Sequence, residues 1–244
     1  MSSVMVHFKK LLFLFVVVVL HCSALRADEC DKGVVVTIHG FLQTARSLRD
    51  MSYSLRYVGL KVYNYEYPSV TGSIRDHGHC LATYIKWVSD ENPGKKINFV
   101  CFSLGSVILR SALNDPCCPA EAKAGHAVFI APPSSGSTFG RSFSNFSKLY
   151  CCLGLELFYE LSTYTVCDMI DLGPYPEDMR ILIIAGCRGS QFNKCVANDG
   201  IVDVSETGID HPFYFETFYT THFRIFTYPP VLNLTRYFVL GAYD

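Results

Sequence analysis

At 244 residues, with 50% hydrophobic and 18% charged residues, the chain has the size and apolar content of one globular domain, which excludes a disordered or low-complexity protein. Its formal charge of −1, with Lys and Arg scattered along the sequence, leaves no basic footprint of the kind nucleic acid demands, and nucleic acid is excluded as a partner.

The first 27 residues read as a targeting segment. Lys9 and Lys10 precede an apolar block from Leu11 to Leu20, and small residues including Ala24 and Ala27 follow, as in a cleaved secretory signal. The block is too short to span a bilayer comfortably. An uncleaved anchor, or a degenerate lipoprotein site at Cys22, stays open as the alternative. Each reading exports the domain at 28–244, which is then secreted, periplasmic or held at the envelope. Beyond residue 27 there are 18 basic against 22 acidic residues, a balance of −4 that draws no anionic headgroups by charge.

Export changes the meaning of the eleven cysteines, because in an oxidising compartment some are expected to pair. Spacing does not reveal the pairs. Cys117-Cys118 and Cys151-Cys152 form no CxxC pattern and have no His at ligand spacing beside them, so no metal site is expected. Cys187 and Cys195 bracket a polar loop that a disulfide would tether.

In chain order, strand and helix signals alternate. Gly33 to Ile38 is a Val-rich run suited to a strand covered on both faces, and it stops at His39-Gly40. Leu48, Met51, Leu55 and Val58 recur at helical spacing. Leu60 to Tyr67 reads as a second strand ending at Pro68, and Ile74, Leu81, Tyr84, Ile85 and Val88 mark a second helix that stops near Pro93-Gly94. Further strands are expected at Ala127–Ala131, Arg180–Gly186 and Phe213–Tyr219. Tyr228 to Leu240 closes the chain as a helix with Pro229 and Pro230 in its first turn. This rhythm predicts an α/β fold with a mainly parallel sheet and helices on both faces. Between Pro133 and Gly173 no strand is expected, yet Phe146, Leu149, Tyr150, Leu153, Leu157 and Leu161 share one helical face. The segment 138–172 is therefore either a helical lid or an ordinary helix packed on the sheet.

Between the second helix and Ala127 lies the stretch Lys95 to Arg110. An apolar strand-like run meets small residues at Ser103 and continues with a helical pattern, which is how a nucleophile elbow looks in sequence. The usual elbow has Gly two residues before and two after the serine, where strand and helix crowd together. Gly105 fits; Cys101 replaces the first Gly and is expected to be a buried free thiol.

The chain resembles an α/β-hydrolase of the lipase and serine-esterase kind in Val-Thr-Ile-His-Gly-Phe at 36–41, Val-Cys-Phe-Ser-Leu-Gly at 100–105, Ala-Pro-Pro-Ser-Ser-Gly-Ser at 131–137, Asn-Asp-Gly-Ile-Val at 198–202 and Thr-His-Phe at 221–223. The departures are Cys101, and Ser106 where a second Gly is frequent. The resemblance implies Ser103 as nucleophile, His222 as base and Asp199 as the acid that orients it, with the backbone N–H groups of Phe41 and Leu104 as oxyanion donors. Asp203 is the local rival of Asp199, which begins the Asp-Gly-Ile-Val pattern. His211 is the rival of His222, but it precedes the last strand and belongs at the wrong end of a parallel sheet. His39 is expected to fix its loop by a hydrogen bond. The implied chemistry is acyl transfer from an ester to water with no cofactor, on a lipid or small-molecule ester. A lid carrying Phe139, Phe143, Phe146, Leu149 and Leu153 suits an acyl chain and contact with a lipid surface. An acyltransferase with the same triad, and a binding protein without turnover, are the alternatives.

Overall fold

The computed structural model describes residues 32–142, 154–189 and 196–243. The targeting segment, Cys22, Cys195 and four of the lid positions (Phe143, Phe146, Leu149 and Leu153) lie outside the described residues.

Six strands, β1 (Val34–Ile38), β2 (Lys61–Tyr65), β3 (Ile97–Phe102), β4 (His126–Ile130), β5 (Arg180–Gly186) and β6 (Phe213–Phe218), form one sheet in the order β2-β1-β3-β4-β5-β6. Every neighbouring pair is parallel. The helices are α1 (Arg49–Tyr57), α2 (Ile74–Asp90), α3 (Leu104–Leu113), α4 (Ala120–Lys123), α5 (Thr138–Arg141), α6 (Glu156–Thr163), α7 (Val166–Ile170) and α8 (Pro229–Val239). The long elements lie where periodicity predicts them. The three short helices α4, α5 and α7 do not, because four or five residues carry too little periodicity to register.

Side chains alternate across a strand, so two cores arise from one sheet. Val34, Val36, Ile38, Phe99, Cys101, Ala127, Phe129, Ile181 and Ile183 pack with Ile74, Leu81, Ile85, Ile108 and Leu109 of α2 and α3. The intervening Val35, Val100, Phe102, Val128, Ile130, Leu182 and Ile184 pack with Met51, Leu55, Val231 and Phe238 of α1 and α8. With both faces covered, β3 buries all six of its residues, which is why these strands read as continuous apolar runs.

The chain runs from β1 outward to β2 and then returns to β3 on the other side of β1. The order reverses between β1 and β3, and the carboxyl ends of strands at such a reversal are where open α/β sheets put ligands. Register aligns the two ends: Ile38 pairs with Cys101, which sets His39–Phe41 beside Phe102–Leu104. Among the described residues no helix is long and apolar enough to cross a membrane.

In the 138–172 segment, Leu157 of α6 is fully buried in the first core and Leu161 packs against it, so this part of the predicted helical face docks on the domain. On the same helix, the Phe158 ring lies 5.4 Å from that of Phe41.

Candidate active site

Ser103 sits between β3 and α3 with φ 51° and ψ −122°, a conformation that costs a non-Gly residue about 1–3 kcal/mol. Its neighbours hold it there. The Ser103 N–H donates to the Ile130 carbonyl at the end of β4 (2.8 Å), and the Ser103 carbonyl accepts from the Ser106 N–H (3.0 Å) and hydroxyl (2.6 Å). Ser106 thus ties the first turn of α3 to the elbow. At Gly105 a Cβ would lie 2.6 Å from the Ile38 carbonyl oxygen and 2.8 Å from that of His39, so the helix crosses β1 too closely for any side chain. Cys101 meets no such limit. It is fully buried in the first core as a free thiol, and burial pushes its pKa well above the usual value.

The structure brings Ser103 together with His222 and Asp199. His222 Nε2 lies 3.1 Å from Ser103 Oγ, and His222 Nδ1 lies 2.7 Å from Asp199 Oδ2. A carboxylate only accepts, so Nδ1–H donates to Asp199 and the Nε2 lone pair faces the serine hydroxyl. All three residues are at most 5% exposed. The other carboxylate oxygen of Asp199 accepts the N–H groups of Ile201 (2.9 Å) and Val202 (2.8 Å), so the turn after the acid aims it. The His222 N–H donates to the Asp199 carbonyl (2.9 Å), which ties the two loops together. At Gly186, where β5 ends beneath them, a Cβ would lie 2.7 Å from that of Asp199 and 2.8 Å from the Thr220 carbonyl oxygen. Phe102 packs against the imidazole with ring centroids 4.9 Å apart.

Leu104 opens α3, so its N–H belongs to a first turn that has no carbonyl of its own helix to bond. Phe41 follows β1, and Leu42 beyond it turns the loop at φ 55°. His39 is fully buried; its Nδ1 donates to the Gly40 carbonyl (3.0 Å), and its ring stacks on Tyr67 with centroids 4.2 Å apart. The Tyr67 hydroxyl donates to the His39 carbonyl (2.8 Å), a support that the Leu60–Tyr67 strand reading does not anticipate.

The rivals lie elsewhere. Asp203 starts the 3-10 turn Val204–Glu206, where its side chain and Glu206 cap reciprocally, and burial followed by the charges of Glu206 and Asp199 raises its pKa. His211 Nε2 donates to the Met179 carbonyl (2.8 Å) just before β5, at the opposite, amino-terminal end of the strands. Glu206 is a further residue that sequence reasoning passes over. It holds α5 to the Asp199 loop by accepting from the Thr138 N–H and hydroxyl (both 2.5 Å) and from Arg141 (3.1 Å). The Asp-x-x-Glu capping pattern at 203–206 is the signal that could have found it. Among the described residues no disulfide forms. Cys187 is a free thiol 3.4 Å from the Phe218 carbonyl oxygen, and its expected partner Cys195 lies outside them.

No protein-family model matches the sequence, and no curated protein matches it. Solved structures do. The mature form of the Bacillus licheniformis lipase BlEst2 is 20% identical, with a TM-score of 0.65 over 83% of this chain and 91% of that one. The fold is that of the α/β-hydrolases. The propeptide form of BlEst2 superposes with a TM-score of 0.68 at the same 20% identity over 83% of this chain, which spans 50% of the length of that form. Phospholipase PlaB from Legionella pneumophila is 12% identical with a TM-score of 0.54, over 72% of this chain and 45% of its own. On the α/β-hydrolase scaffold the elbow, the loop after β5 and the loop after β6 converge at one sheet edge, where Ser103, Asp199 and His222 meet.

Proposed function

We propose that the protein hydrolyses carboxylic esters through an acyl-enzyme. The observation that carries this reading is the unbroken hydrogen-bonded chain from Asp199 through His222 to Ser103. Ser103 Oγ attacks the ester carbonyl carbon while His222 Nε2 takes its proton. The resulting oxyanion is held by the N–H groups of Leu104 and Phe41. His222 then protonates the leaving alkoxide, water replaces the alcohol and attacks the acyl carbonyl carbon while the same imidazole takes its proton, and that proton passes to Ser103 Oγ as the acyl–Oγ bond breaks and the acid leaves. Asp199 keeps the imidazole in the tautomer that accepts at Nε2 and stabilises the imidazolium.

Lipid or acyl esters are the substrate class this reading favours. The lipase and phospholipase names of the structural neighbours support it, as does the aromatic pair Phe41 and Phe158 beyond the end of β1. In this proposal the N-terminal segment exports the enzyme. A fluorophosphonate probe tests the assignment: the folded protein should label, and Ser103→Ala should abolish labelling and lower kcat on p-nitrophenyl esters by about 10⁴-fold or more. An unlabelled protein, or a fully active Ser103→Ala, would refute it.

A further inference from the structure

On the face of the domain carrying α2 and α3, three side chains of different chemistry converge. His79 lies on α2, and Asp115 and Cys117 lie in the turn between α3 and α4. A His79 ring nitrogen, an Asp115 carboxylate oxygen and the Cys117 sulfur are all within 4.8 Å of one another. Asp115 orients the group. Its Oδ1 accepts the Cys117 N–H at 2.8 Å, and its Oδ2 meets His79 Nδ1 at 2.9 Å.

We propose that His79, Asp115 and Cys117 form a binding site for a thiophilic divalent cation of the zinc type. Imidazole, carboxylate and thiolate are the donor set that such an ion accepts, and oxygen-seeking Mg²⁺ or Ca²⁺ has no use for the sulfur. In tetrahedral coordination, bond lengths of about 2.0–2.3 Å put neighbouring ligand atoms about 3.3–3.8 Å apart. To reach that spacing the wider separations close by about 1 Å and the 2.9 Å His79–Asp115 contact opens, the scale of side-chain rotations in an exposed His79 and Cys117. Exposure leaves the fourth position to water. The ion then cross-links α2 to the turn that ends α3, the helix that begins at the elbow. Neither the site nor its chemistry depends on the ester-hydrolase reading.

Sequence spacing hides this cluster, because His79 stands 36 residues before Asp115 and only the packing of α2 on α3 joins them. Titration of the reduced full-length chain with Co²⁺ tests it. One equivalent should produce a thiolate-to-cobalt absorption band that Zn²⁺ displaces, and Zn²⁺ should raise Tm. Cys117→Ser, an exposed change that keeps the backbone bond to Asp115, should abolish both effects. His79→Ala and Asp115→Asn should each weaken affinity by more than about 10-fold, beyond the smallest loss seen when only an outer partner of a ligand is removed. The neighbouring Cys80→Ser should retain the band. Absence of a band, or a band that survives Cys117→Ser, would overturn the proposal. So would a band indifferent to His79→Ala, which would reduce the site to a lone thiol.

Discussion

Replacing Asp199 by Asn separates orientation from folding, because the structure dictates how the amide must sit. Asp199 Oδ1 accepts two backbone N–H groups, from Ile201 and Val202, at 2.9 and 2.8 Å. The Asn carbonyl oxygen must take that place, since turning the NH₂ toward two donors would leave both buried N–H groups unpaired at about 1–3 kcal/mol each. The NH₂ then faces His222 Nδ1 at the 2.7 Å position now held by Oδ2. An NH₂ donates, so Nδ1 must accept and the ring proton moves to Nε2, which no longer takes a proton from Ser103. The expected loss is about 10⁴-fold in kcat, or about 5.5 kcal/mol at 1.36 kcal/mol per decade. KM and Tm should change little, because shape and backbone bonds are kept. Steady-state hydrolysis of a short p-nitrophenyl ester, with a thermal melt on the same sample, measures both. Asp203→Asn is the control: its side chain caps a 3-10 turn, and it should retain kcat within a few-fold. An Asp199→Asn enzyme within tenfold of wild type, or an Asp203→Asn enzyme with the larger loss, would refute the reasoning.

Three further outcomes follow from the same geometry. Gly105→Ala puts a methyl 2.6 Å from the Ile38 carbonyl oxygen, so urea unfolding should show a loss of about 1–3 kcal/mol together with reduced kcat as the elbow shifts. Cys101 should resist thiol reagents in the native state, and Cys101→Gly should lower stability by about 1–2 kcal/mol without raising kcat, since it removes a packed side chain and loosens a strand. A gain in activity would show the elbow to be cramped by the cysteine. Burial lowers the His39 pKa below its ordinary 6.5, outweighing the Gly40 carbonyl and Glu66, whose Oε1 stands 3.6 Å from Nε2. The unfolded chain therefore binds the proton more readily, and stability, undiminished above pH 6.5, should fall as pH drops below it by at most about 1.4 kcal/mol per unit. His126, lowered chiefly by burial, adds in the same direction, so the urea midpoint of His39→Gln should lose only part of this slope.

Patterns of neighbouring residues settled much of this protein. Continuous apolar runs in β1, β3, β4 and β5 mark a sheet covered on both faces, and the positions of Ser103 and Gly105 mark the elbow, because both are products of local backbone geometry. The order of Ser103, Asp199 and His222 came instead from the resemblance to the α/β-hydrolases, since only Ser103 directly follows its strand and Asp199 lies well beyond the end of β5 at Gly186. Tertiary structure decided what depends on distance through space. It put His222 Nε2 on Ser103 across 119 residues of chain, and it used the Ile201 and Val202 N–H groups to give Asp199 one orientation. Cys101 looked like damage to a motif, whereas Gly105 is where carbonyl groups leave no room for a Cβ. The cluster of His79, Asp115 and Cys117 is the extreme case. Asp115 and Cys117 share one turn, but His79 stands far before them in sequence, and only the packing of two helices brings all three within 4.8 Å of one another.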